Sequence, residues 1–271
     1  MTAQAAVDTD RDTAANPFPG LRPFEQDEDH LFFGREQETD ELVRRLRTSR
    51  FLAVAGASGS GKSSLVRSGL IPALHSGIMA GAGSRWRVAL MRPGGDPLGN
   101  LAASLDNALG SDAQLADASA TVLEATLRGS SGGLADAVRH ARLPAHDNVL
   151  VVVDQFEELF RFAPVRGAEG SRNDAQAFVR LLLVAARRNV RLYVLLTMRS
   201  DFIGDCMRFA GLPEAVNEGL YLVPRMSRDE LRAAITGPAA VAGAEIEPRL
   251  IIRLLNEAGH DPALRPVLQH A

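Results

Sequence analysis

Cysteine, lysine and tryptophan each occur once in this 271-residue chain, at Cys206, Lys62 and Trp86. A lone cysteine excludes an intrachain disulfide framework and fits a reducing compartment. Aromatic residues make up 5%, too few for the base-stacking platforms of single-strand binders. Neither sign of charge dominates. Thirty Lys+Arg face 33 Asp+Glu, a formal net charge of -3, which argues against a protein whose main task is to coat nucleic acid. Long apolar runs are also missing: 149–153 and 181–186 fall far short of the roughly 20 residues that cross a bilayer. Residues 1–13 are polar and acidic and lack the apolar centre of a secretory signal, so a cytoplasmic location is expected. The six histidines show no metal-ligand spacing, so no zinc site is expected. No solenoid repeat is visible. Cys206 and Trp86 read as packing residues.

The near-absence of lysine is informative. Arginine supplies positive charge everywhere except at Lys62. One exception implies a role for a slim, mobile point charge that a planar guanidinium does not fill.

Along the chain, residues 1–15 carry no periodic apolar positions and are expected to form a disordered tail. Residues 16–24 (NPFPGLRPF) hold three prolines and a glycine, so an extended segment packed through Phe18, Leu21 and Phe24 is expected. Residues 36–47 read as a helix burying Leu42, Val43 and Leu46. Short aliphatic runs at 51–55, 87–91, 149–153, 191–197 and 220–223 read as strands. Helical patterns alternate with them at 63–74, at 97–142 with breaks, and at 176–187. Continuous aliphatic strands alternating with helices predict a parallel sheet covered on both faces, a three-layer α/β sandwich. From Ser227 the chain reads helical. Ser227 and Glu230 form a capping box, and Gly237 with Pro238 is expected to end that helix. This predicts a main domain over 16–225 and a small, incomplete helical lid over 226–271.

Residues 56–63 (GASGSGKS) satisfy the pattern G-x-x-x-x-G-K-[ST], between a predicted strand and a predicted helix. Gly56, Ser58, Gly59, Ser60, Gly61, Lys62, Ser63 and Ser64 would wrap a polyphosphate in backbone N–H groups at a helix N-terminus. Lys62 would neutralise the β- and γ-phosphates, and Ser63 would offer a hydroxyl to Mg²⁺. Asp154, at the tip of the strand 149–153, is the second candidate for holding Mg²⁺. Glu157 and Glu158 both lie within one helical turn of it. Either could orient an attacking water, or serve as an acid at a helix start. Thr197 and Arg199 end the fourth strand. If that strand lies between the first and third, Arg199 reaches a γ-phosphate and distinguishes ATP from ADP; the alternative is a surface pair with Asp201.

Together these residues resemble the STAND class of signalling NTPases, among the AAA+-related P-loop ATPases of ASCE type. The match is to the bacterial novel STAND branch, through NPFPGLRPF at 16–24, FFGRE at 32–36, the phosphate loop and its helix at 56–67, VVVDQFEELF at 151–160 and LTMRSDF at 196–202. The resemblance covers about 16–271. It implies that Phe33, Gly34 and Arg35 lie over adenine and ribose, and that Arg199 is the sensor arginine. It implies that Pro238 approaches the adenine in the ADP state, although the usual pattern separates the glycine and proline by one residue. Gln155 stands where many relatives have glutamate, which favours Glu157 as the water-orienting acid.

The implied activity is a slow ATPase: a nucleotide-binding module that rests with ADP and self-associates with ATP. Its ligands would be ATP or ADP with Mg²⁺, and its partners sensor and effector parts of unknown identity. A membrane role is not expected. Two alternatives remain open. One is a P-loop kinase with an acceptor pocket in 112–146. The other is a DNA-associated ATPase using Arg44, Arg45, Arg47, Arg50, Arg187 and Arg188, although nucleic acid is not the expected partner.

Overall fold

The computed structural model describes residues 16–79, 81–110, 120–162, 170–188 and 191–260. The expected tail and the far end of the expected lid lie outside the described residues. Among them, branched and aliphatic runs form strands β1 (Phe51–Gly56), β2 (Trp86–Met91), β3 (Asn148–Val153), β4 (Leu192–Arg199) and β5 (Leu220–Leu222). They pair in parallel in the order β2-β3-β4-β1-β5.

Each central strand is buried on both faces, which is why its residues do not alternate with polar ones. Along β3, Val149, Val151 and Val153 enter one apolar cluster while Leu150 and Val152 enter another. Burying each such side chain contributes about 1.5–3 kcal/mol. The second cluster is covered by α1 (Glu36–Thr48), through Leu42, Val43 and Leu46, and by α2 (62–75), which follows β1. The first is covered by α3 (Pro97–Leu109), α4 (Ala120–Gly129), α5 (Gly133–His140), α7 (Gly170–Arg187) and α8 (Leu212–Gly219). A short helix, α6 (Glu158–Phe162), follows β3. The result is the expected three-layer sandwich.

Helix α2 departs from the plain helix expected over 63–74. It begins as Lys62–Ser64, widens into a π segment at Leu65–Leu70 and ends as Ile71–His75. Pro72 has no N–H to return to the Ser68 carbonyl, which loosens the ordinary ladder. Gly69 is pressed against α1: a Cβ there would sit 2.5 Å from Thr39 Oγ1.

After β5 the chain enters a helical pair where a lid was expected, α9 (Arg228–Val241) and α10 (Pro248–His260), called the lid below for its place in the chain. The capping box is formed: Ser227 N donates to Glu230 Oε2 at 2.6 Å and Glu230 N donates to Ser227 Oγ at 3.3 Å. Helix α9 does not end at Gly237 and Pro238. It runs through both to Val241, with Pro238 buried inside it. A proline this late in the helix removes one hydrogen bond, and the remaining turns hold. Leu231, Ile235, Leu254 and Leu255 give the two helices an apolar cluster of their own.

Candidate functional site

The sheet order places β4 between β1 and β3, so the carboxyl ends of these strands lie side by side. In register, Gly56 faces Arg199 and Val153 faces Leu196. Open parallel sheets bind ligands at this edge. The loop after β1 turns into α2 through Gly61, whose φ of 82° most side chains resist.

Lys62 lies across that loop. Its Nζ donates to the carbonyls of Gly56 at 3.1 Å and Ala57 at 2.7 Å. Burial pulls its ammonium below the usual lysine value. The Glu157 carboxylate opposes that shift and the Arg199 guanidinium reinforces it.

Asp154 is 1% exposed. Its Oδ1 accepts from Ser63 Oγ at 2.7 Å and from Thr197 Oγ1 at 2.6 Å. Its Oδ2 accepts from Arg67 Nη2 at 3.1 Å, with Arg92 Nε 3.9 Å away. A hydroxyl that donates its proton to Asp154 keeps both lone pairs, so Ser63 retains its capacity to bind a cation. This pairing of hard oxygen donors suits Mg²⁺. The next residue, Gln155, takes φ 55°, uncommon outside glycine. The turn is held by Gln155 N donating to Thr197 Oγ1 at 3.0 Å and Phe156 N donating to the Thr197 carbonyl at 2.8 Å. With its oxygen turned toward Arg92 Nη2 and its nitrogen toward Glu158 Oε1, the Gln155 amide bridges the two side chains.

The two glutamates separate. Glu157 is buried, accepts from Arg199 N at 3.3 Å and lines the cavity beside the loop. Glu158 turns away and accepts from Gly94 N at 3.1 Å. Arg199 lines the same cavity. It pairs with Asp201, holding that carboxyl below its usual range, yet its buried Nε has no partner among the described residues. A buried cationic donor beside a lysine fits an anionic ligand.

The cavity measures about 430 Å³, within the ~300–1,000 Å³ usual for small-molecule sites. Ser58 to Ser64, Glu157, Thr197 and Arg199 form its polar end. Its apolar end is walled by Phe18, Leu21 and Phe24 of the N-terminal segment, by Phe32 and Phe33, and by Met226, Leu231, Ala234 and Ile235 of the lid.

The other expected ligand residues divide between the cavity wall and its surroundings. Phe33 lines the cavity, but Gly34 does not. It has φ 78°, and a Cβ there would meet the Glu230 carbonyl oxygen at 2.3 Å, so its smallness seats α9. Arg35 reaches the wall but is 4% exposed. Its guanidinium donates to Glu38 at 2.7 Å, to the Pro224 carbonyl at 3.1 Å and to the Ser60 carbonyl at 3.5 Å, so it ties the entry to the lid to the phosphate loop. Gly56 and Pro238 lie outside the lining. The lid meets the cavity one to two turns before Pro238 because α9 continues as a helix. The Ser64 hydroxyl accepts from Phe24 N at 3.2 Å and so serves the N-terminal segment.

Sequence reasoning missed Arg92, Arg161 and the wall formed by Phe18 and residues 20–24, all of which line the cavity. Arg161 follows Glu157 by four residues, a helical neighbour spacing that could have marked it. Arg92 follows β2 directly, but nothing in sequence says that β2 ends beside Asp154.

Solved structures of similar shape share little sequence. The Walker-type ATPase PABY2304 of Pyrococcus abyssi aligns with TM-score 0.56 and 16% identity, over 92% of this chain and 68% of its own. A protein of the HORMA:CdnC:Trip13 complex of E. coli MS115-1 aligns at 0.53 and 13%, over 89% and 79%. The ORC2 protein of Aeropyrum pernix, solved as ADPNP-ADP complexes, aligns at 0.50 and 18%, over 76% of this chain and 52% of its own. This chain thus spans about half of that protein. These likenesses show the P-loop ATPase fold. No curated protein matches the chain. The family described as Novel STAND NTPase 1 matches residues 17–271, nearly everything from the N-terminal segment to the lid. With the phosphate loop, Asp154 and the strand order in agreement, this chain is a P-loop NTPase and belongs to the novel STAND NTPase 1 family.

Proposed function

We propose that the chain is the nucleotide-operated module of a signalling switch that binds ATP with Mg²⁺ and hydrolyses it slowly. One observation supports this reading above the others: a single cavity runs from Lys62, Ser63, Glu157 and Arg199 at one end to Met226, Leu231 and Ile235 of the lid at the other. A ligand filling it touches both parts of the chain. Its phosphates contact the sheet edge and its base contacts the lid.

The residue roles follow from the chemistry of each side chain. The loop amides and Lys62 hold the β- and γ-phosphates. Ser63 and Asp154 hold Mg²⁺, which when bound neutralises charge on the phosphate oxygens. Glu157, buried and oriented by Arg199 N, is the acid placed to accept a hydrogen bond from an attacking water. Arg199 directs a cation at the terminal phosphate, so it reads the difference between triphosphate and diphosphate. The basic cluster that a DNA-bound reading would use is largely engaged within the protein. Arg44 and Arg45 both close on Glu41, which they hold at about 2, and Arg47 donates to the Ile78 carbonyl.

The test is titration calorimetry of the chain with ADP and with a non-hydrolysable ATP analogue, in Mg²⁺ and in EDTA. We expect Lys62→Ala to abolish binding of both. Asp154→Asn should remove the gain from Mg²⁺. Arg199→Ala should retain ADP affinity and lose any preference for the triphosphate. An unmutated chain that binds neither nucleotide overturns the reading.

A further inference from the structure

The N-terminal segment and the Asp154 carboxylate are connected through one side chain that the phosphate chemistry does not use. Arg67 sits in the π segment of α2, four residues beyond Ser63. Its Nη2 donates to Asp154 Oδ2 at 3.1 Å and its Nη1 to Glu25 Oε1 at 2.6 Å. The side chain is 13% exposed, and its Nε makes no bond among the described residues. Arg67 is absent from the cavity lining and so lies behind the site.

The same helix face holds the segment twice more. Phe24 N donates to Ser64 Oγ at 3.2 Å, and Ser68 Oγ donates to the Glu25 carbonyl at 2.7 Å. Ser64, Arg67 and Ser68 fall at the i, i+3, i+4 spacing of one helix face. Of the three, only Arg67 carries a charge and only Arg67 reaches Asp154. The segment it grips continues into Phe24, Leu21 and Phe18, which wall the apolar end of the cavity.

We propose that Arg67 is a positioning residue that holds Asp154 in its metal-binding orientation and, through Glu25, fastens the N-terminal wall of the nucleotide cavity to that same carboxylate. The physical basis is division of labour on the carboxylate. Two hydroxyls fix Oδ1 and the guanidinium fixes Oδ2, so Asp154 is held in one orientation and its buried charge is compensated. Removing the guanidinium frees Oδ2 to turn and leaves that charge without its closest cation. Outer-shell partners of metal ligands typically change metal affinity about 10–100-fold when removed. The planar fork also spans two acceptors at once, which a lysine ammonium on a single stem does not reproduce. The inference rests on the proposed nucleotide and Mg²⁺ site, but the fastening of the wall can be measured without either.

The experiment has two readouts on the full chain. Calorimetry gives the ratio of ADP affinity in Mg²⁺ to that in EDTA. Amide hydrogen exchange follows residues 18–25. We expect Arg67→Met to lower the Mg²⁺-dependent gain by about tenfold or more and to speed exchange at Phe24 and Glu25, whose amides are hydrogen-bonded. Arg67→Lys should restore most of the Mg²⁺ gain but not the protection. Glu25→Gln should speed exchange in 18–25 and leave the Mg²⁺ gain unchanged. Should Arg67→Met fail to fold, the Arg67→Lys and Glu25→Gln arms decide. An unchanged or larger Mg²⁺ gain in Arg67→Met, or unchanged exchange in Glu25→Gln, overturns the proposal. If the unmutated chain binds no nucleotide, the proposed function fails, while the exchange arms still judge the fastening.

Discussion

Lys62 offers an unusually clean chemical handle, because amine reagents can reach only it and the α-amino group. Desolvation lowers its pKa, so at a given alkaline pH more of it is the free amine than for an exposed lysine. We expect its acylation profile, read by peptide mapping against pH, to have a midpoint below the ordinary lysine value. Mg²⁺–nucleotide should slow the reaction and push that midpoint upward, since phosphate favours the charged form. A midpoint at or above the ordinary value would contradict the burial seen here. At this scale the sequence was most legible where chemistry is local. The phosphate loop needs its glycines, lysine and serine next to one another, and the pattern alone located them. Arg67, Arg92 and Thr197 converge on or beside Asp154 from three different elements. No local pattern encodes such convergence. The separation of Glu157 from Glu158 likewise depends on Gly94, more than sixty residues away in sequence.

Helix α9 shows what an element owes to its neighbours. Gly237 was expected to stop it, yet the glycine is there for proximity: a Cβ would lie 2.4 Å from two ring carbons of Phe33. In an exposed helix, Gly→Ala gains about 1 kcal/mol. Here overpacking against an aromatic ring should reverse the sign, at a cost of about 1–3 kcal/mol. We expect Gly237→Ala to lower the melting temperature and to speed amide exchange in the 32–35 turn. Phe33→Ala in the same chain should relieve part of the loss, giving a favourable coupling in a double-mutant cycle. A simple increase in stability on Gly237→Ala would show that α9 does not press on Phe33. The strands were read with bounds off by a residue or two, since runs buried on both faces need no alternation. Proline tolerated inside α9 and the π segment inside α2 escaped because each is stabilised by packing from outside the element.

For the whole molecule, the sheet order brings the elements that the proposed switch would use to one cavity. The tips of β1, β3 and β4 adjoin, and the lid reaches over them from beyond β5. Shifting a population from 1:99 to 99:1 takes about 5.5 kcal/mol of differential affinity. Several charge-assisted contacts to a terminal phosphate are of that order. We expect small-angle scattering and size-exclusion profiles to differ between ADP and a non-hydrolysable ATP analogue, and Arg199→Ala to erase the difference. Identical profiles in the unmutated chain would leave a nucleotide binder without a switch. No helix among the described residues is long and apolar enough to cross a membrane. The sandwich was readable from alternating strand and helix patterns, whereas the seating of the lid on the 33–34 turn was not.

The lid pair does not borrow its interior from the sheet. Leu231, Ile235, Leu254 and Leu255 close on one another as a separate apolar nucleus. In the proposed switch, the pair would move against Phe33 and Gly34 as one body. Its displacement would swing α10 outward as a stiff lever, turning a small opening at the cavity into a longer stroke at the tip.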